Sequence, residues 1–239
     1  AFNSGLLNTT ATNLLVLKNG ATVTTPLSTS ATSYVNGPMD CQLATTAQTT
    51  LNFPIGTNGD CRPISLLAKN NTSNLYNYTS TLYNASAFSA GTYTNFPATV
   101  DTLSGVHYWQ IARTNSSSVP SPSIEISGNQ QANLYFDTDD QVYNGSLLTV
   151  CKTYTNSTDW VDIGQSTCSI GVSAYATAQA GTITSSTSGP TAFTSFSYFT
   201  LGRTHGAGKD PLPIELLSFS AVADGEKVDL KWETSTETN

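Results

Sequence analysis

The chain has 239 residues, of which 38% are hydrophobic and 10% aromatic, so it is long and apolar enough to bury a sizeable core. Only 10% of its residues are charged, and a net charge of -7 with thinly spread Lys and Arg excludes a basic nucleic-acid or membrane surface. No apolar stretch is long enough to span a bilayer. Thr, Ser, Asn, Gly and Ala fill much of the rest, which is typical of extracellular β-rich proteins.

Short runs rich in Val, Ile, Thr, Tyr and Phe recur along the chain between turn residues. In the first, NLLVLKNGATVTT, Asn19 and Gly20 predict a hairpin turn between two strands. Later predicted strands are HYWQIAR, SIEIS, NLYFD, SLLTVCKTY, DWVDIG and FTSFSYFTLG, while NLYNYTSTLYNASAFSAGTYTNF fits either two strands or a long ordered loop. Many short strands without a helical period predict an all-β, jelly-roll-like β-sandwich over residues 1–204.

A Gly- and Pro-rich linker is predicted at residues 205–212, followed by a C-terminal β-hairpin tail at 213–239. The tail has one apolar run, the turn ADGE, and then strict apolar and polar alternation. The apolar positions change parity between Leu216 and Leu217, which predicts a bulge or a strand covered on both faces. A lone hairpin is marginally stable in water, so its apolar face needs a cover. The candidate assembly residues are Ile214, Leu216, Leu217, Phe219, Val228, Leu230 and Trp232.

The four cysteines fall into two local pairs, and neither pair has the CxxC spacing of a zinc or redox site. Their proximity in sequence predicts the disulfides Cys41–Cys61 and Cys151–Cys168. Such bridges would fit an oxidising, extracellular compartment. Four buried thiols are the alternative.

The sequence offers little for catalysis or metal binding. His107 lies in a predicted strand and His205 in the linker, and no GxSxG, HExxH or phosphate-binding glycine motif occurs, so we expect no enzyme and no cofactor. Asp137, Asp139 and Asp140 form a weak candidate calcium site, although their spacing is not that of an EF-hand loop. A solvated acidic turn is the alternative.

Other candidates concern sugars, either attached or bound. Several Asn-X-Ser/Thr sequences occur, and Asn71, Asn77 and Asn84 are the candidate glycosylation sites among them. An aromatic platform for a glycan ligand would be formed by Tyr76, Tyr78, Tyr83 and Tyr93. Ordinary sheet packing is the alternative for these tyrosines.

The tail sequences LPIELLSFSA and VDLKWETSTETN resemble a segment found after the main β domain in many large secreted proteins of Bacteroidota. In those proteins the segment opens a fibronectin-type-III-like module ahead of a type IX secretion sorting domain. Upstream, LLVLKNGATVTT, SYVNGPM, FPIGTNGDCRPISL and FSYFTLG are similar to landmarks of their surface-exposed β domains. The resemblance implies an extracellular, cell-surface protein whose pattern continues past Asn239. It also makes Thr102, in DTL, a candidate O-glycan acceptor.

Two functions fit these features. The first is a structural subunit of an extracellular bacterial surface filament or adhesive fibre, which polymerises head to tail by β-strand donation to identical subunits. The alternative is a carbohydrate-binding module of a larger secreted adhesin or enzyme, with surface glycans as its ligands. Packing of the tail against its own sandwich is also left open.

Overall fold

A computed structural model describes residues 5–23, 27–57, 59–90, 95, 97–120, 130–154, 159–170, 175–187, 193, 195–205, 216–224 and 227–234. At positions 216, 217, 224, 233 and 234 only the backbone is described. The described residues are almost entirely β, with three short 3-10 turns at Ala87–Ser89, Thr138–Asp140 and Gly145–Leu147.

The strands are numbered in chain order. The first nine are β1 (Gly5–Asn8), β2 (Leu15–Leu17), β3 (Ser33–Asn36), β4 (Met39–Leu43), β5 (Thr49–Phe53), β6 (Ile55–Thr57), β7 (Asp60–Cys61), β8 (Ile64–Ala68) and β9 (Tyr76–Tyr83). The next eight are β10 (Val100–Leu103), β11 (Tyr108–Asn115), β12 (Gln131–Phe136), β13 (Leu148–Thr153), β14 (Trp160–Asp162), β15 (Thr167–Cys168), β16 (Gly181–Thr184) and β17 (Tyr198–Thr204). The tail contributes β18 (Leu216–Asp224) and β19 (Lys227–Thr234).

Two of the sheets form a sandwich, so the predicted all-β sandwich is confirmed. The eight-stranded sheet has the order β14-β13-β17-β11-β9-β4-β2, with β10 also paired to β17, and the five-stranded sheet has the order β15-β16-β12-β8-β5. One hydrophobic cluster draws on both sheets, including Trp109 and Phe199 from the larger and Leu66 and Phe136 from the smaller. The alternation of buried and half-buried residues along β9 and β12 follows from the two-residue period of a strand.

A smaller sheet with the order β1-β3-β6-β7 adjoins the sandwich. Its edge strand β1 runs parallel to β3, and the next strand, β2, runs parallel to β4 at the edge of the eight-stranded sheet. The segment 5–17 therefore runs along β3 at the edge of the small sheet and then along β4 at the edge of the eight-stranded sheet. Gly37 lies between these two strands with φ +128°, and a Cβ there would lie 2.5 Å from the Thr9 carbonyl oxygen. A side chain at position 37 would be strained and would also clash.

The hairpin predicted around Asn19 and Gly20 is wrong. Both residues do lie in a turn, closed by the Ala21 N–H donating to the Lys18 carbonyl at 2.8 Å, but no strand follows in residues 21–23. The partner of β2 is instead the distant strand β4. The described part of the ambiguous Tyr- and Asn-rich stretch forms the strand β9 and then the 3-10 turn Ala87–Ser89. The predicted strand SIEIS lies outside the described residues.

The tail forms a two-stranded sheet of its own from β18 and β19. Strand β17 ends at Thr204 and β18 begins at Leu216, while most of the predicted linker lies outside the described residues. In the part of the chain that the structure describes, no helix is both long and apolar enough to cross a membrane.

Candidate assembly surface and polar sites

The tail hairpin has one apolar side. Phe219 lies opposite Trp232, Ala221 opposite Leu230 and Ala223 opposite Val228 in the antiparallel register. Because side chains alternate across a strand, these six residues share one side, which we call the tail face. The other side carries the opposed pairs Ser220 with Lys231 and Val222 with Asp229, and it is mainly polar.

The tail face is exposed. Its large side chains, Phe219, Val228, Leu230 and Trp232, are between 55% and 60% exposed, and neither hydrophobic core cluster of the described residues includes a tail residue. Full burial of such side chains contributes about 1.5–3 kcal/mol each. A contiguous apolar surface of this kind marks an interaction site or an aggregation hazard.

The remaining assembly candidates are described less fully. The register shifts between Leu216 and Ser218, where the change of parity predicted a bulge or a strand covered on both faces. For Leu216 and Leu217 only the backbone is described, and Ile214 lies outside the described residues.

The acidic turn surrounds an arginine. Asp137 Oδ2 lies 3.8 Å from Arg62 Nη1, Asp140 Oδ2 lies 3.9 Å from Arg62 Nε, and Asp139 pairs with Arg62 Nη2. Asp137 also caps the 3-10 turn, and its N–H donates to Asp140 Oδ2 at 2.9 Å. A guanidinium thus neutralises the carboxylates that a calcium ion would need. Among the described residues no group of three or more His, Cys, Asp or Glu could hold a metal, so the calcium hypothesis is not supported.

His107 lies behind this turn in the core. Its Nδ1 is 3.4 Å from Asp140 Oδ1, and its ring meets Trp109 edge to face at 4.5 Å. Burial, followed by the nearby Arg62 charge, lowers the pKa of His107 to about 3, so the imidazole is neutral at physiological pH. Burial raises the pKa of Asp140 well above its usual value, opposed by the Asp137 N–H and by Arg62.

A surface pocket of about 330 Å³ opens beside Arg62 and is lined by Asp60, Asp137 and Asp139 among other residues. His107 and Asp140 do not line it, and both are essentially unexposed. Their proximity is therefore a packing relationship of the core, because an acid–base pair must reach its substrate.

The predicted disulfides are wrong: none of the four cysteines forms one. Cys41 lies on β4 of the eight-stranded sheet and Cys61 on β7 of the small sheet, and their thiols donate to the Asn52 carbonyl at 3.7 Å and the Ser28 carbonyl at 3.2 Å.

The second predicted pair is also divided between sheets. Cys151 is buried on β13 against Gly202, whereas Cys168 lies on β15 of the five-stranded sheet.

Burial raises the pKa of Cys41 to about 12 and of Cys61 to about 11, which makes these thiols poor nucleophiles. Proximity in sequence did not predict proximity in space, because the chain changes sheets between the members of each pair.

The predicted tyrosine platform is divided between the two faces of β9. Tyr78 is wholly buried, where its hydroxyl donates to Asn70 Oδ1 at 2.7 Å, and Tyr76 stacks under the Arg113 guanidinium at 3.6 Å. Tyr83 faces the other way and stacks on Tyr108 with ring centroids 4.8 Å apart. Tyr93 lies outside the described residues. No shared platform of these four residues is supported.

The sequence reading missed a buried lysine. Lys152 is unexposed on β13, where its Nζ donates to Ser195 Oγ at 3.1 Å and to Ser197 Oγ at 3.2 Å and lies 4.2 Å from the centre of the Tyr154 ring. Burial lowers its pKa to about 7. The sequence did indicate this burial, because Lys152 lies two residues after Val150 and four after Leu148, on the same side of the strand as these core residues.

The candidate glycosylation residues differ in access. Asn71 is exposed in the loop after β8, whereas the exposed Asn84 donates its amide to Asp60 Oδ2 at 2.6 Å. Asn77 is half-buried and accepts from Gln42 Nε2 at 3.0 Å, and Thr102 is half-buried on β10. Asn71 is thus the most accessible of the four.

Comparisons with family models, with curated proteins and with solved structures found no match to the chain.

Proposed function

We propose that this protein is a structural subunit of an extracellular bacterial surface filament or adhesive fibre, and that it polymerises head to tail by β-strand donation. The tail of one subunit would dock on the sandwich of the next. A contact of this kind joins two different surfaces, so it leaves a free donor and a free acceptor after each addition and propagates an open fibre.

The exposed tail face carries the proposal. Phe219, Leu230 and Trp232 leave more than half of their surface in water, although the sandwich buries residues of the same types almost completely. The sandwich core is built without any described tail residue, so the tail is free to act as a connector. Main-chain hydrogen bonds along β18 or β19 would supply affinity, and the tail face would supply most of the buried apolar area.

The extracellular setting has a different basis. The low charge, the richness in Thr, Ser and Asn, and the resemblance of the tail to segments of secreted Bacteroidota proteins support it. The cysteines do not support an extracellular setting, because they are thiols in the structure. The buried His107 does not line the pocket beside Arg62 and so offers no support for catalysis there.

Removal of residues 212–239 tests the proposal. The expected product is a folded monomer that keeps the thermal transition of the sandwich, whereas the full chain forms fibres seen by electron microscopy and elutes as large species in size-exclusion chromatography. Fibres from the truncated chain, or an intact chain that stays monomeric at all concentrations, would remove the filament function.

A carbohydrate-binding module is the second candidate, and the outer face of the eight-stranded sheet favours it. There the Tyr83 hydroxyl donates to Gln110 Oε1 at 2.9 Å, and Gln110 Nε2 donates to the Tyr198 hydroxyl at 3.5 Å. Tyr83 and Tyr198 pack against the second hydrophobic cluster, and the parts of their rings that stay exposed beside the Gln110 amide offer the apolar faces and polar tips that sugars need. Glycan-array binding that is lost in Tyr83→Ala, from a chain that forms no fibres, would favour this function.

A further inference from the structure

Two short strands, β1 and β2, cover the edge formed by β3 and β4. Strand β1 pairs with β3 over four residues and β2 with β4 over three, both in parallel. Between them, residues 9–14 leave the sheet opposite Gly37 and Pro38, so the pairing is interrupted at its centre. Parallel pairs are slightly less stable per residue than antiparallel ones, and an interrupted pair loses further ladder bonds.

The covering segment is also poorly buried, while the edge beneath it is not. No residue of 5–17 is buried, whereas Tyr34 and Val35 on β3 and Met39 and Cys41 on β4 are all buried. Only Leu15 and Leu17 of the segment pack, partly buried, against the core. The remaining ties are local, such as the Asn36 side-chain amide donating to Asn8 Oδ1 at 2.8 Å and the Thr9 hydroxyl donating to the Pro38 carbonyl at 2.7 Å.

We propose that the edge 33–43, now covered by the segment 5–17, is the acceptor site for strand β18 of a second copy of this chain, which displaces that segment when it docks. This inference rests on the proposed function, because it names the site at which the donated tail binds.

The donor strand matches the acceptor in length and pattern. Strand β18 is nine residues long, whereas β1 and β2 have four and three residues. Its alternate residues Phe219, Ala221 and Ala223 are apolar, which is the pattern needed to take the places of Leu15 and Leu17 over the core. An antiparallel pairing of β18 with β3 or β4 would be slightly more stable per residue than the present parallel pairs.

Another edge provides the competing arrangement. Strand β5, at the end of the five-stranded sheet, pairs with β8 along all five of its residues and has no strand on its other side among the described residues. A tail docking there would leave the segment 5–17 in place. The two arrangements therefore differ in whether assembly requires displacement.

A disulfide lock distinguishes them. Asn8 and Asn36 are paired in register and their side chains already touch, so Asn8→Cys with Asn36→Cys can fasten the segment to β3. The matched control is Asn133→Cys with Thr184→Cys, a pair in register between β12 and β16 of the five-stranded sheet whose side chains also touch. Both proteins are compared in oxidised and reduced form by circular dichroism, pelleting and electron microscopy, with the single Asn8→Cys variant as a second control.

The inference predicts at least a tenfold lower yield of fibres from the oxidised Asn8/Asn36 pair, recovery on reduction, and no such difference for the control pair. If the fully locked protein forms fibres that still depend on Phe219, displacement of the segment 5–17 is ruled out. The proposed donation of the tail would stand, and β5 would be its acceptor. If neither form assembles and wild type does not either, the proposed function and this inference fail together.

Discussion

Phe219 lies directly opposite Trp232 across the two strands of the tail, yet the two side chains are 60% and 58% exposed. A cross-strand aromatic pair contributes about 0.2–1 kcal/mol to a sheet, which helps to hold the hairpin together. It does not remove the larger cost of leaving two aromatic side chains in water. The hairpin is thus formed but uncovered, and its cover in a neighbouring subunit is the central claim.

The chain contains a matched pair of valines for testing which side of the tail binds. Val228 and Val222 are 60% and 62% exposed, but Val228 lies on the tail face and Val222 on the opposite side. Val228→Asn should reduce fibre yield at least tenfold, because a polar amide would be buried against an apolar surface. Val222→Asn should change it less than twofold. Equal losses in a pelleting assay would show that the two sides do not differ in assembly.

The four cysteines should all react as thiols. In denaturant without reductant, an alkylating agent should add to Cys41, Cys61, Cys151 and Cys168, as read by peptide mass spectrometry. At Cys41 and Cys151 the reaction should be at least tenfold slower in the native protein than in denaturant, because both thiols are buried and burial raises their pKa values. Recovery of any disulfide-linked peptide from unreduced protein would contradict the structure.

Arg62 should be far more important to stability than Arg203. Arg62→Met removes a buried guanidinium that pairs with Asp139 and lies 3.8 Å from Asp137 Oδ2, a loss of about 3–5 kcal/mol in the free energy of unfolding. Arg203→Met breaks a partly exposed pair with Asp101 at 3.1 Å and should cost about 1 kcal/mol or less. Urea unfolding of both variants measures the difference. Similar costs would show that the buried ion-pair cluster adds nothing beyond a surface pair.

Lys152 should make stability rise with pH. In the unfolded chain it keeps its proton up to about its ordinary pKa of 10.5, whereas burial lowers the folded pKa to about 7. The unfolded state therefore binds more protons in this window, and the free energy of unfolding rises by at most about 1.4 kcal/mol per pH unit. Urea unfolding at pH 7, 8 and 9 should show this rise in the difference between wild type and Lys152→Met, because the buried thiols titrate alike in both proteins. Parallel pH profiles of the two proteins would contradict the lowered pKa of Lys152.

Local patterns predicted the tail and the all-β class, because both depend on short-range alternation. Val228, Leu230 and Trp232 alternate with polar residues, and the structure forms a strand there. The pairing of β2 with β4 could not be predicted in this way, because Asn19 and Gly20 are a local hairpin signal. The actual partner, β4, comes after the intervening strand β3.

The polar sites were harder to predict for the same reason. Asp137, Asp139 and Asp140 were visible as an acidic turn, but their partner Arg62 lies far away in sequence and only the fold brings it to them. The disulfide predictions were wrong for a similar reason, because Cys41 and Cys61 are near in sequence yet belong to different sheets.

The central claim is tested most directly by asking whether the tail contacts its own chain or another. A photo-crosslinking residue replaces Leu230, and equal amounts of ordinary and ¹⁵N-labelled chains are unfolded together, refolded and allowed to assemble. Mass spectrometry of the crosslinked peptides then reads the isotope of each partner. We predict that about half of the tail crosslinks join an ordinary chain to a labelled one, as random mixing of subunits requires. Crosslinks confined to chains of one isotope would place the tail on its own sandwich and contradict strand donation.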